Sequence, residues 1–183
     1  MNLRRPGRIR LSTALTTAAG VLLAVVAVSV LTAGTQARHA PQIARPFTLA
    51  EVGDPAKLIS LSDYAGRPVI INFFGSWCDV CQQETPLLAR FYQAHHGQVL
   101  IIGIDGRDRT AAALKFLHAK GVNYPVVADQ DLVLTDAYGA TAGYPQTFFL
   151  NARHQIVRHV LGAVTAAELD SWAASLAHRT GTS

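Results

Sequence analysis

Two stretches of the chain are apolar without either a helical or an alternating period. They are Val69-Ile70-Ile71-Asn72-Phe73-Phe74 and the run from Gln98 to Ile104. Unbroken, β-branched runs of this length suit strands covered on both faces, as in a parallel sheet between helices. Between them the spacing predicts a helix from about Cys78 to His95, with Leu87, Leu88, Phe91 and Tyr92 on its apolar face and Gly97 ending it. Pro86 lies inside that helix and predicts a kink, because proline lacks a backbone donor and crowds the preceding turn.

After the second strand, Asp108 or Thr110 is placed to cap a helix over 111–120, with Leu114 and Leu117 facing inward and Gly121 as its stop. A short strand follows at 125–128 and a short helix at 131–138, closed by Gly139. Gln146 to Leu150 and Ile156 to Leu161 read as an antiparallel pair around the turn at Asn151-Ala152-Arg153. Thr165-Ala166-Ala167-Glu168 is a capping box, and Leu169, Trp172 and Leu176 mark the core face of the last helix. Ahead of all this, residues 47–61 form two short strands around Gly53-Asp54-Pro55, and 62–66 a short turn or helix. The alternation of strands and helices predicts an α/β domain with a mostly parallel sheet, an N-terminal β-hairpin and antiparallel strands added at one side.

The start of the chain has a different pattern. Arg4, Arg5, Arg8 and Arg10 precede an apolar stretch over 11–33, and no charge interrupts 11–36. About 20 residues at 1.5 Å each cross the hydrocarbon core, so the stretch reads as a transmembrane anchor or an uncleaved signal. Residues 1–10 are then a basic cytoplasmic segment, 34–46 a linker, and 47–183 a domain on the extracytoplasmic side. Thr35-Gln36-Ala37 would serve as a cleavage site if the signal were removed; the length of the run favours retention.

Charge follows the same division. The chain carries 16 basic and 12 acidic residues, net +4. Residues 1–45 hold six arginines and no acid, which leaves a net −2 on the rest. The folded part therefore offers no electrostatic support for a nucleic-acid partner.

The chain has only two cysteines, Cys78 and Cys81, and they fall where the first apolar strand gives way to the helix. Cysteines at i and i+3 on a first helical turn can reach disulfide distance, so the pair can cycle between dithiol and disulfide. Free N–H groups and the helix dipole favour the thiolate of Cys78, which makes it the nucleophile, with Cys81 resolving the mixed disulfide. Trp77 shields one side of the pair and offers an apolar contact. A purely structural disulfide is the weaker reading, since so short a loop gives little entropic stabilisation. A zinc site would need two histidines to complete it, and a copper site one; the seven histidines are scattered and read as surface residues. No cofactor or metal is assigned.

The segment Asn72-Phe73-Phe74-Gly75-Ser76-Trp77-Cys78-Asp79-Val80-Cys81 resembles the active-site segment of thioredoxin-fold proteins of the exported TlpA/ResA/CcmG type. The resemblance covers about residues 46–178. It also rests on Glu84 three residues after Cys81, on Pro86, on Gly143-Tyr144-Pro145-Gln146-Thr147-Phe148-Phe149-Leu150, and on a central αβ insertion over about 108–128. It implies a thioredoxin-like fold with a central mixed sheet flanked by helices. It further implies a cis bond before Pro145 facing the cysteines, with the Tyr144 backbone pairing with a bound peptide, and Asn72 in the strand below.

Glu84 is expected to tune proton transfer at the dithiol. Asp79 adds negative charge beside Cys78, which opposes thiolate formation and favours a reductant. The implied function is a membrane-anchored thiol–disulfide oxidoreductase that reduces exported protein disulfides, such as the Cys-x-x-Cys-His segments of apocytochrome c, and draws electrons from a membrane thiol carrier. A general disulfide reductase or isomerase for exported proteins and a copper-binding chaperone are the alternatives. Val80 and Tyr144 depart from the proline and the small or β-branched residue common at these positions, both where substrates dock.

Overall fold

A computed structural model describes residues 42–95 and 98–180, with only the backbone for the last four. The expected basic segment 1–10, the apolar span 11–33 and most of the linker lie outside the described residues. Among those described, no helix is long and apolar enough to cross a membrane.

The elements run β1 (Thr48–Glu51), β2 (Asp54–Ser60), β3 (Val69–Phe74), α1 (Asp79–Ala94), β4 (Leu100–Gly106), α2 (Thr110–Ala119), β5 (Val126–Asp129), α3 (Val133–Ala137), β6 (Gln146–Leu150), β7 (Ile156–Leu161) and α4 (Ala166–Thr180). Short 3₁₀ turns lie at Leu61–Tyr64 and Ala140–Ala142. The strands form one mixed sheet ordered β2-β1-β5-β4-β3-β6-β7. β3, β4 and β5 are parallel, while β6 runs antiparallel to β3 and β7 to β6. The N-terminal hairpin joins the same sheet through β1, antiparallel to β5.

The two apolar runs are its centre. Every residue of β3 and β4 is buried. Because side chains alternate along a strand, each run feeds two cores. Ile70, Phe74, Ile101 and Phe149 pack on one face with Cys81, Leu88, Phe116, Leu169 and Trp172. Val69, Ile71, Phe73, Ile102, Ile104 and Phe148 pack on the other with Leu61, Leu134 and Tyr138. The same alternation puts Asn72, Asp105 and Thr147 on the face that carries the cysteines.

α1 starts where expected and runs through Pro86 without ending. The predicted capping box holds: the Glu168 amide donates to Thr165 Oγ1 at 3.3 Å, and the Thr165 amide to Glu168 Oε2 at 2.9 Å. Leu117 packs against the core as expected, but the expected cap of α2 and the inward Leu114 fail. Its N-cap is Arg109, with no side-chain cap, because the Asp108 carboxylate is drawn to another amide. Ala113 and Phe116 face the core, and Leu114 is 44% exposed. Leu114 covers the hairpin instead, so close to Gly53 that a Cβ there would lie 2.8 Å from its Cδ2.

Candidate active site

The site forms where β3 stops and α1 begins. The strand is buried on both faces, and the chain leaves it through Gly75, whose missing side chain makes room for the Trp77 ring; a Cβ would lie 2.6 Å from that ring. Ser76 is then held from two sides. Its amide donates to Asp108 Oδ2 at 2.6 Å, and its carbonyl accepts from Gln82 Nε2 at 3.1 Å. Trp77 is 58% exposed and anchored by Nε1 donating to the Gly106 carbonyl at 3.3 Å.

Cys78 is the N-cap of α1, and it is bonded to Cys81 as a disulfide with a Cα–Cα distance of 5.2 Å. The i, i+3 spacing thus reaches bonding distance with the helix intact. The Cys81 amide donates to Cys78 Sγ at 3.1 Å. This is one of the free N–H groups of a first helical turn, and it stabilises a negative sulfur at Cys78 more than a neutral one. Cys78 is 8% exposed and Cys81 is fully buried. A partner's sulfur can therefore reach Cys78 and not Cys81. Asp79, the first residue of α1, is exposed, as is Val80.

Across from the disulfide, the Tyr144–Pro145 peptide bond is cis, as the resemblance implies. The Tyr144 carbonyl oxygen lies 3.5 Å from Cys78 Sγ. The Tyr144 ring stands 5.6 Å from that of Trp77, and its hydroxyl is 2.8 Å from Thr135 Oγ1. Thr135 Oγ1 in turn donates to Asp129 Oδ2 at 2.8 Å. Trp77, Arg107, Leu132, Thr135, Thr141 and Tyr144 line a cavity of about 220 Å³.

Below the cysteines, Glu84 is 3% exposed one turn after Cys81. Its Oε1 accepts the Val164 amide at 2.7 Å, and its Oε2 accepts Asn72 Nδ2 at 3.1 Å. Asn72 Nδ2 also donates to Thr147 Oγ1 at 3.0 Å. Burial pushes the Glu84 carboxyl up to about 6, against the pull of these two donors. It can take or give a proton near neutral pH.

All eight expected site residues, Asn72, Trp77, Cys78, Asp79, Cys81, Glu84, Tyr144 and Pro145, fall at this end of the sheet. The sequence reading missed Asp105, Thr135 and Asp129, and gave Asp108 to a helix cap. An acid at the end of an otherwise apolar strand was the available signal for Asp105.

Gly106 fixes how close Tyr144 comes. A Cβ there would lie 2.0 Å from the Tyr144 hydroxyl and 2.8 Å from ring atoms. Gly106→Ala should swing the ring away and break its bond to Thr135. A lost hydrogen bond of this kind should lower the stability of the fold by about 1 kcal/mol. Denaturant melts check this.

Residues 37–160 match the AhpC/TSA family. Over 110 residues the chain is 37% identical to the thiol-disulfide oxidoreductase ResA of Bacillus subtilis, covering 60% of this chain and 61% of that protein. It is 36% identical over 119 residues to the thiol:disulfide interchange protein DsbE of Xylella fastidiosa, covering 64% of this chain and 59% of that one. The matches thus span about three fifths of these relatives. The crystal structure of StoA from Bacillus subtilis superposes with a TM-score of 0.61 at 26% identity, covering 72% of this chain and 98% of that one. The domain has the thioredoxin-like fold.

Proposed function

The chain belongs to the AhpC/TSA family, and we propose that it is a membrane-anchored, extracytoplasmic thiol–disulfide oxidoreductase that reduces protein disulfides. The observation that carries this is the asymmetry of the pair: Cys78 Sγ is reachable, accepts a helix amide and faces the cis Tyr144–Pro145 bond, while Cys81 is sealed beneath it.

In the reduced protein, the Cys78 thiolate attacks one sulfur of a substrate disulfide. A mixed disulfide forms and the other substrate sulfur leaves as a thiolate. Cys81 then loses its proton, with Glu84 as the acceptor, and attacks Cys78 Sγ. The second substrate thiol is released and the Cys78–Cys81 disulfide is left. Trp77, Tyr144 and Pro145 form the docking surface, with the Tyr144 backbone pairing with an extended substrate segment. Asn72 positions Glu84, and Asp79 biases the pair toward reduction. The disulfide is reduced again by a membrane thiol carrier, and the anchor over 11–33 keeps the domain beside it.

The substrate class we infer is the Cys-x-x-Cys-His segment of apocytochrome c, in cytochrome c maturation. The names of the relatives support thiol–disulfide exchange, and the acidic Asp79 supports the reducing direction.

The test is the reduction potential of the pair. A value near about −250 mV or lower is expected, and one near about −120 mV would overturn the reducing direction. Tight copper binding by the reduced protein, lost in Cys78→Ser, would favour the copper chaperone instead.

A further inference from the structure

Asp105 is the second buried acid on the cysteine face, and the exchange chemistry above does not use it. It ends the apolar run of β4, paired with Phe74 of β3 on one side and Ala128 of β5 on the other. It is fully buried, and neither of its carboxylate oxygens receives a hydrogen bond. A buried, unpaired carboxylate costs several kcal/mol, so such a group takes a proton or a donor.

Another acid, Asp108, 4% exposed, lies close enough to interact with it. Two carboxylates repel; a carboxyl and a carboxylate share a hydrogen bond. Asp108 already has one oxygen committed to Ser76, in the short bond from the amide two residues before Cys78.

We propose that Asp105 and Asp108 share one proton beneath the loop 75–77 and act as a positioning pair for Cys78: Asp105 donates to Asp108, and Asp108 holds the Ser76 amide. The pair completes the grip on Ser76, whose carbonyl is held by Gln82. It also fixes the turn that presents the Gly106 carbonyl to Trp77.

Among the described residues, none donates a hydrogen bond to Asp105. Asp129 at the end of β5 is satisfied by the amides of Leu134 and Thr135 and by the Thr135 hydroxyl. The Tyr144 hydroxyl is engaged with Thr135. Arg107, two residues further along the chain, is exposed and lines the cavity. β3 presents only Phe74 at this level, and α1 brings the Cys78–Cys81 pair and, further along, Glu84. Burial first, and then the nearby Asp108, push the Asp105 carboxyl up to about 8, in accord with a proton held at neutral pH.

The inference rests on thiol chemistry at Cys78 and not on the direction of electron flow or the substrate. It is tested on the reduced full-length chain by following Cys78 alkylation with iodoacetamide against pH, together with the amide shift of Ser76. Asp105→Asn keeps a donor to Asp108 and cannot ionise. It should retain the wild-type rate at pH 7 and the downfield Ser76 amide, and reduce the profile to the single ionisation of the thiol. Asp105→Ala should lose the Ser76 shift and alter the rate at pH 7 about tenfold, the worth of one charge-assisted bond.

The wild-type profile should carry a second ionisation near pH 8, and the Asp105 carboxyl carbon should titrate there. Titration of that carbon below pH 5, or a profile of Asp105→Asn superimposable on that of the wild type, would overturn the proposal. The wild-type carbon titration decides the matter even where Asp105→Ala fails to fold. An unreactive Cys78 in the wild type would instead count against the exchange reading.

Discussion

Cys78→Ser should bring disulfide reduction down to the uncatalysed background, a loss on the order of a thousandfold or more. Serine keeps the size of the side chain and a lone pair for the Cys81 amide, which now donates to Sγ at 3.1 Å. It removes the thiolate, and Cys81, with no exposed surface, cannot take over the attack. The fold should survive, because a bond that closes a loop of so few residues contributes little to stability.

Cys81→Ser should behave differently. It leaves the attack intact and removes resolution, so a mixed disulfide on Cys78 should accumulate and be visible as an added mass that a reductant removes. The two variants together fix the order of events. A mixed disulfide accumulating in Cys78→Ser, or turnover persisting there, would reverse the assigned roles. Partners trapped on Cys81→Ser also identify the substrate class. Cys-x-x-Cys-His proteins are expected, and a broad set of exported proteins without that motif would favour the general reductase.

The parts of this site that could be read from the sequence are those set by one short segment. The buried strand, the glycine turn and the helix start all lie within 69–81, where local pattern and cap position leave few options. Their partners across the fold were legible only through the resemblance: periodicity gives no reason for Pro145 to face Cys78, sixty-seven residues earlier in the chain.

Asp108 was misread for a physical reason. An acid just before a helix is an ordinary cap, and only tertiary structure shows that a closer amide, that of Ser76, competes for it. Leu114 was misread because helical period specifies a face and not its neighbours. The hairpin over α2 supplies a second apolar surface that draws Leu114 away from the main core. Asp105 was passed over because an apolar run hides its last residue, although a charge ending a fully buried strand is the kind of conflict that marks functional positions.

Glu84→Gln should change both stability and chemistry, with opposite signs. Burial raises the Glu84 carboxyl from 4.5 to about 6. Between those values the folded protein holds a proton that the unfolded chain has released. The folded state is therefore favoured, as far as this group is concerned, at low pH, and loses stability as pH rises through about 6. The loss above that point is about 2 kcal/mol, from a shift of roughly one and a half units at 1.36 kcal/mol each.

Glutamine never ionises, so the variant should match the wild type near pH 4 and exceed it by about that amount at pH 8. Its amide can be accommodated. Oε1 keeps the Val164 amide, and Asn72, whose Oδ1 has no partner, can turn its own amide to accept from the new donor while Thr147 donates in turn. Denaturant melts of the oxidised proteins at the two pH values check the sign.

Exchange should move the other way. Without a carboxylate to take the Cys81 proton, resolution of the mixed disulfide should slow by about a hundredfold, and the limb near pH 6 in its rate should disappear. A variant that gained stability and kept that limb would show that Glu84 is a buried acid the fold tolerates, and that another group receives the proton.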